Sequence, residues 1–560
     1  MPVLQFKGKT AIECYHHTVP HHTLEFDAKL SVLQKGEKLG LDGNLIIEGD
    51  NLIALKALLP THAGLIKCIY IDPPYNTGNE GWVYNDNLTQ PQFKEWIGQT
   101  VGKEGEDGTR HDKWCCMMYP RLQLLKELLH DNGAIFVSIG DDEIANLRML
   151  MDEVFGVENF IATIIWRNST GPKQSKLLST SHEYILCFAR NAGEWNRNLL
   201  PRTAEQEADY TNPDNDPRGV WRSGGLDARN YYSKGRYSIT CPGGRVIKGP
   251  PGGSYWRIPE ETLWELDADG RIWWGEDGNN VPRIKRFLSE VQAGLIPQTV
   301  WDYDDVGHTQ EAKQEYLQIL SGMQVFTTPK PVALIKRILH IATSPGDLVL
   351  DSFAGSGTTA HAVLDINKDD RGERKFILIQ IPHDTKDNEK EKFNICKMIT
   401  AERVKRVIEG YTYTKRGAKG KTSREKVKGL GGRFSYASLL AKPLFEEYRD
   451  WGNQLPVYEE LAKYIFYTET SRDFDRKAMN EKTGRIGEHH GISYYLLYTS
   501  NGQEDRRLDM EWLKGLDKIE KNKNLVVYCE KIWVHRDDLA KFEQETKRTV
   551  RPMIVPFNLK

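Results

Sequence analysis

Apolar residues in this chain come in short blocks that close on acidic or glycine-containing turns. Between these blocks run longer segments with apolar positions three and four apart. Leu45-Ile46-Ile47 ends in Glu48-Gly49-Asp50, and Leu52, Leu55, Leu58 and Leu59 then mark one face of a helix. Cys68-Ile69-Tyr70-Ile71 reads as a buried strand that runs straight into Asp72. The pattern next predicts a helix over 119–130 stopped by Gly133, a strand over 134–139, and strands over 161–166 and 183–188. After Pro329 it resumes with a helix through Leu334, Ile338 and Ile341, a strand at Leu348-Val349-Leu350, a glycine-rich turn and a strand over 376–381. Strands separated by helices imply an α/β fold with a parallel, doubly wound sheet.

The texture changes between these halves. From 195 to 310 Gly, Pro, Trp and Arg crowd together, as in Pro250-Pro251-Gly252-Gly253-Ser254-Tyr255-Trp256-Arg257, and long amphipathic helices vanish. An inserted, loop-rich domain is expected there. Residues 411–433 are basic and poor in apolar groups, which predicts a linker. The expected organisation is an N-terminal arm (1–43), two halves of one α/β domain (44–194 and 311–410) flanking the insert, the linker, and a C-terminal α+β module (434–560).

Composition narrows the class. A chain of 560 residues exceeds one hydrophobic core, and its 39% hydrophobic and 28% charged residues suit a soluble protein. No apolar run approaches the ~20 residues of a membrane span, so a cytoplasmic location is expected. The 8 cysteines are scattered without a CxxC pair, which argues against zinc and fits a reducing compartment. A net charge of -2 neither requires nor excludes a nucleic-acid partner, since local positive surface is enough for one.

Two loops carry candidate chemistry. Asp72-Pro73-Pro74-Tyr75 follows a buried strand without a break. Ligands in open α/β sheets sit beyond the carboxyl ends of the strands, so this loop faces a site. Consecutive prolines fix the backbone and remove two donors, leaving rigid carbonyls as acceptors. An aryl amine is a poor nucleophile because its lone pair is delocalised; a carboxylate and a carbonyl accepting both its hydrogens favour the pyramidal, reactive form. Tyr75 offers a flat face for a base. A plain structural turn is the alternative, and the acid and tyrosine argue against it.

The second loop, Asp351-Ser352-Phe353-Ala354-Gly355-Ser356-Gly357-Thr358-Thr359, also stands between a strand and a helix. Its glycines permit a tight turn and close backbone approach to a ligand. Gly355 to Ala360 also satisfies the G-x-G-x-x-A dinucleotide pattern, but a dehydrogenase places an acid at the end of the next strand. Gln380 stands there instead.

DPPYN followed, after a long insert, by FAGSG resembles the β-class amino-methyltransferases, above all the modification subunit of type III restriction-modification systems. The likeness extends through LIIEGDNLIALKALLP, YPRLQLLKELLHDNGAIFVSIGDDE, FGVENFIATIIW and TPKPVALIKRIL, over roughly residues 1–410. It implies a circularly permuted Rossmann-like fold with an inserted target-recognition domain and S-adenosylmethionine (AdoMet) as cofactor. It also implies methylation of the N6 amine of an adenine flipped out of duplex DNA. By position the resemblance makes Asp72, Pro73, Pro74 and Tyr75 catalytic. The cofactor set becomes Asp50, Asp72, Pro73, Lys330, Pro331, Asp351, Ser352, Phe353, Ala354, Gly355, Ser356, Gly357 and Thr358. Phe353 is expected against the cofactor, Thr328-Pro329-Lys330-Pro331 at its methionine end, and Asp50 on its adenine amine. The family often has an acid near Gln380 for the ribose, for which Asp384 is the candidate substitute. A homodimer joined by a helicase-nuclease subunit is the implied assembly.

Arg222, Arg236, Arg245, Lys248 and Arg257 in the insert are the expected DNA contacts, since duplex readers combine phosphate contacts with a few base-edge donors. His16, His17, His21 and His22 are expected to be solvated rather than metal-bound. Gly420-Lys421-Thr422 imitates the end of a P-loop, but Lys415 stands where its first glycine belongs. Three rivals remain. An N4-cytosine methyltransferase usually has serine at the position of Asp72. A protein-amide methyltransferase begins its loop with asparagine and lacks the insert. A catalytically idle DNA-recognition subunit has no need of two intact loops.

Overall fold

The computed structural model describes all residues except 1–2, 78–109, 172–177, 293, 324–327, 384–385, 417–421, 442, 445–456, 471, 473, 500–505, 518–522 and 556–560. Asp384 therefore lies outside the described residues. The chain forms two units: Met1–Asn198 with Gln298–Lys560, and Leu199–Pro297.

The first unit is built on a ten-stranded sheet. Its strands are β1 (Leu24–Val32), β2 (Leu45–Glu48), β3 (Ile66–Ile71), β4 (Leu129–Ile139), β5 (Phe160–Arg167), β6 (His182–Ala189), β7 (Val300–Trp301), β8 (Leu348–Asp351), β9 (Lys375–Gln380) and β10 (Phe434–Leu439). Their spatial order is β1-β10-β2-β9-β8-β3-β4-β6-β5-β7. The central strands β2, β9, β8, β3 and β4 are parallel. Parallel strands are covered on both faces, which is why these segments read as unbroken apolar runs rather than alternating ones. The sheet is not wholly parallel, however: β6 lies antiparallel between β4 and β5. No helical pattern stands between Arg167 and His182 to carry the crossover that a parallel neighbour needs.

Helices α1 (Asn51–His62), α2 (Arg110–Leu128) and α3 (Ile144–Phe155) pack their apolar faces into one core with the sheet. Farther along the chain come α4 (Val332–Ala342) and α5 (Thr358–Asp370). Helix α2 begins nine residues before the expected 119, and β4 begins at Leu129. Buried Trp114, Cys115 and Met118 hold the extra turns, although Arg110, His111, Asp112 and Lys113 make that start look polar.

Several expected boundaries move. The arm is not peripheral, because β1 pairs antiparallel with β10 and closes the edge of the sheet. Strand β10, expected in a separate module, pairs parallel with β2. The basic linker is a hairpin of Gly410–Arg416 and Thr422–Lys428. His16, His21 and His22 are buried rather than solvated. His21 lies against the Tyr464 ring, and the His22 imidazole is 2.8 Å from the Leu440 carbonyl. The C-terminal portion adds a four-stranded sheet whose helix Tyr458–Thr470 docks on the main body, where Tyr467 donates to Glu127 over 2.7 Å.

The second unit, narrower than the expected 195–310, holds a three-stranded antiparallel sheet of Trp221–Gly225, Arg283–Phe287 and Ile272–Trp273. Its small core gathers Leu226, Ile239, Cys241, Trp256, Leu263 and Trp274.

Candidate active site

Strands β8 and β3 are neighbours, with Val349 opposite Cys68 and Leu350 opposite Ile69. Being parallel, they release their following loops on the same edge of the sheet. Asp72-Pro73-Pro74-Tyr75 thus emerges beside Ser352-Phe353-Ala354-Gly355, although about 280 residues separate them in sequence.

The first loop is pinned at both ends. Trp114 Nε1 donates to the Pro74 carbonyl over 2.7 Å. Asn76 takes the left-handed φ of 59°, which asparagine tolerates, and its amide reaches the buried Glu143 at 2.5 Å. His111 Nδ1 and Asn146 Nδ2 also meet Glu143, at 2.6 and 2.8 Å. The Tyr75 ring lies over Gly140, where a Cβ would stand 3.0 Å from it, so glycine there lets the ring approach the end of β4.

One ammonium ties the loop to the rest of the site. Lys330 Nζ lies 3.0 Å from Asp72 Oδ1, 2.8 Å from the Tyr75 hydroxyl and 3.1 Å from Glu183 Oε2. The Tyr75 hydroxyl donates to the same Glu183 oxygen over 2.9 Å, and Asn168 holds the other at 2.8 Å. Burial pushes Asp72 above the ordinary carboxylate range; Lys330 pulls it back and Glu183 pushes it up again. Burial also opposes charge on Glu183, but Lys330 and Tyr75 outweigh it and hold that carboxyl low. The partner of Asp72 Oδ1 is thus an ammonium that also serves Tyr75 and Glu183. A carboxylate has about four acceptor positions, so Asp72 keeps capacity for an incoming amine hydrogen beside the ammonium.

The second loop turns on Gly355 and Gly357, at φ of 52° and 78°. Asp351 braces it internally: one oxygen accepts from the Phe353 amide at 3.0 Å, the other from Thr359 Oγ1 at 2.5 Å. Burial pushes Asp351 up to about 7 against these two bonds. Gln380 accepts from the Gly355 amide over 2.7 Å, so the residue at the expected acid position shapes the loop. Fully buried Arg403 donates to Ser356 and Thr358 over 2.8 and 2.7 Å from beneath. The Ser352 hydroxyl is buried with no partner among the described residues. A glycine turn at a helix start and an unspent buried hydroxyl fit a polar small-molecule cofactor.

The DNA methylase family (N6_N4_Mtase) matches residues 66–391, which spans both loops and the insert between them. The chain belongs to this family. It is 37% identical over 379 residues to the type III restriction-modification enzyme StyLTI Mod subunit of Salmonella typhimurium, covering 65% of this chain and 57% of that one. It is 31% identical to the type II methyltransferase M.KpnI of Klebsiella pneumoniae, covering 64% of this chain and 85% of that one. The DNA adenine methyltransferase YhdJ of Escherichia coli is 30% identical, with 61% and 80% covered. The chain spans 57% to 62% of the length of the type III Mod subunits StyLTI, EcoP15I and EcoPI.

Within this DNA methylase fold, other expected site residues divide by what they touch. Lys330, expected at the methionine end of a cofactor, is spent on Asp72, Tyr75 and Glu183. Pro331 precedes the first residue of α4. Asp50 caps α1, accepting from Leu52 N and Ile53 N at 2.9 and 3.3 Å, and meets Arg121 at 3.2 Å. Arg121 also holds Asn51, whose amide donates to the Ser352 carbonyl over 2.8 Å, so Asp50 is tied to the glycine loop. In the second unit Arg222, Arg236, Arg245, Lys248 and Arg257 are all exposed. Arg222 faces Asp209 at 3.7 Å, Arg236 lies over the Tyr255 ring at 4.7 Å, and Arg245 donates to the Asn279 carbonyl. Glu183 is the residue that sequence reasoning missed; an acid heading the apolar strand His182–Ala189 was its one signal.

Gly355→Val will weaken AdoMet binding about tenfold or more, because a branched residue at positive φ costs ~1–2 kcal/mol and its side chain alters the turn. Phe353→Ala will weaken it too. Calorimetric titration of AdoMet, with thermal melting as the control for folding, measures both.

Proposed function

We propose that this chain is a site-specific DNA methyltransferase that moves a methyl group from AdoMet to the N6 amine of an adenine flipped out of duplex DNA. The observation that carries this is the placing of the Asp72 carboxylate, fixed by Lys330, beside a glycine loop on the neighbouring strand end. Asp72 accepts one amine hydrogen and the Pro73 carbonyl the other, while Trp114 occupies the Pro74 carbonyl. Tyr75 stacks on the extruded base. AdoMet, held at Phe353, Ala354, Gly355 and the Ser352 hydroxyl, supplies an electrophilic methyl on its sulfonium. Holding both reactants in line accounts for most of the acceleration, with no metal in the scheme.

The names of StyLTI Mod and YhdJ support the type III and adenine readings. Asp72 in place of serine favours adenine over cytosine. We extend the reading to a modification subunit that dimerises and joins a helicase-nuclease subunit, with sequence choice in the Leu199–Pro297 unit. Labelled AdoMet and duplex DNA, followed by nucleoside mass spectrometry, test the reaction: N6-methyladenine is expected, and N4-methylcytosine or no transfer overturns it.

A further inference from the structure

The hairpin of Gly410–Arg416 and Thr422–Lys428 pairs only with itself among the described residues. Residues 410–428 hold seven Lys or Arg against the single acid Glu425. Side chains alternate between the two faces of a strand pair. The register places Tyr411 opposite Val427 and Tyr413 opposite Glu425 on one face, and Thr412 opposite Lys426 and Thr414 opposite Arg424 on the other.

Burial follows this division as far as the Thr414–Arg424 pair; beyond it Lys415 and Ser423, on the tyrosine face, are exposed as well. Tyr411, Tyr413, Glu425 and Val427 are half-buried, whereas Thr412, Thr414, Arg424, Lys426 and Lys428 are exposed. The strand of Tyr411 packs on the helices Thr309–Ile319 and Glu402–Glu409, so the tyrosine face lies against the protein body, where burial and then Glu315 push the Tyr411 hydroxyl above its ordinary range. The outward face thus gathers three cations and two hydroxyls and excludes the only acid. None of Arg424, Lys426 and Lys428 has an ion pair among the described residues. Lysines that merely protect a sheet edge need not share one face.

We infer that this outward face is a phosphate-binding track for duplex DNA. Alternate residues of an antiparallel strand stand ~6.8 Å apart, about twice the ~3.4 Å axial rise per phosphate of one DNA strand. Three cations in that row span several successive phosphates, with Thr412 and Thr414 as additional donors. The row carries no base-reading geometry, so it supplies affinity and orientation. The inference rests on the methyltransferase reading for its choice of DNA as the polyanion.

The test is duplex binding by the full chain across a series of KCl concentrations, comparing wild type with the triple variant R424Q/K426Q/K428Q. Each lost phosphate contact removes ~0.9 from the slope of log K against log salt, so the slope should fall by about two to three units. Near ~0.1 M salt binding should weaken on the order of a hundredfold, with the preferred sequence unchanged. AdoMet affinity and melting temperature should stay at wild-type values. The charge-retaining triple R424K/K426R/K428R should restore the slope. Methyl transfer by wild type together with an unchanged slope in the glutamine variant would overturn the track. Salt-dependent binding lost in that variant, from a wild type that transfers no methyl, would leave the track and sink the enzymatic reading.

Discussion

Asp72→Asn will lower methyl transfer on the order of 10²–10³-fold while leaving AdoMet affinity near the wild-type value. The size follows from what the carboxylate does. A preorganised group aimed at the reacting amine typically contributes this much when it is removed. Cofactor binding survives because the glycine loop is braced by Asp351, Gln380 and Arg403, none of which relies on Asp72. The Asp72–Tyr75 loop survives as well: Lys330 keeps Glu183 at 3.1 Å, and Trp114 and Asn76 still hold the backbone. Single-turnover rates with saturating AdoMet measure the loss directly. Near-normal turnover in this variant would mean that the chemistry belongs to another loop.

The strands that place this site were legible because they are buried on both faces. Leu45-Ile46-Ile47, Cys68-Ile69-Tyr70-Ile71 and Leu348-Val349-Leu350 have no polar position to break the run, and each ends on the turn that the structure uses. Strand β1 gave no such signal: Leu24–Val32 is an edge strand, half-exposed along its length, with Glu25, Asp27 and Lys29 within it. Strand β10 was assigned with the C-terminal module rather than with this sheet, because its parallel partner β2 lies almost 400 residues away. Loop identity was legible from residue chemistry, whereas side-chain partners were not. Gln380 looked like a missing acid until its side-chain oxygen was found accepting from the Gly355 amide, and Lys330 was carried to the cofactor by motif position when its nearest charges are Asp72 and, on β6, Glu183. Long side chains reach across several strands, and spacing along the chain says nothing of where their ends meet. The hairpin shows the same limit. Its cations were plain in the sequence, but the register that sorts them onto one face is a property of the pairing.

Lys330→Met and Glu183→Gln will displace the acid limb of the pH–rate profile in opposite directions. In the proposed reaction the working form of Asp72 is the carboxylate, since only that form accepts the amine hydrogen on either oxygen. Activity therefore falls as pH drops through the Asp72 pKa. The charged and titratable groups acting on it are Lys330 ahead of α4, Glu183 on β6, Tyr75 on its own loop, Tyr70 on β3 and Asp351 on β8. Burial raises Asp72, Lys330 lowers it and Glu183 raises it. Removing the ammonium leaves burial and the second carboxylate unopposed, so the limb moves to higher pH. Removing the Glu183 charge leaves Lys330 to Asp72 alone, so the limb moves to lower pH. Both variants will also lose turnover, up to ~10²-fold, because Tyr75 and Asp72 lose a shared anchor and misplacement of reacting groups is costly. Loss of turnover by itself does not separate an electrostatic role from a merely structural one. The opposed limbs do, as does Lys330→Arg, which keeps the charge and should return the limb toward its wild-type position. Two variants that lose activity with the limb unmoved would make Lys330 and Glu183 scaffolding, and would leave the acidity of Asp72 to burial alone.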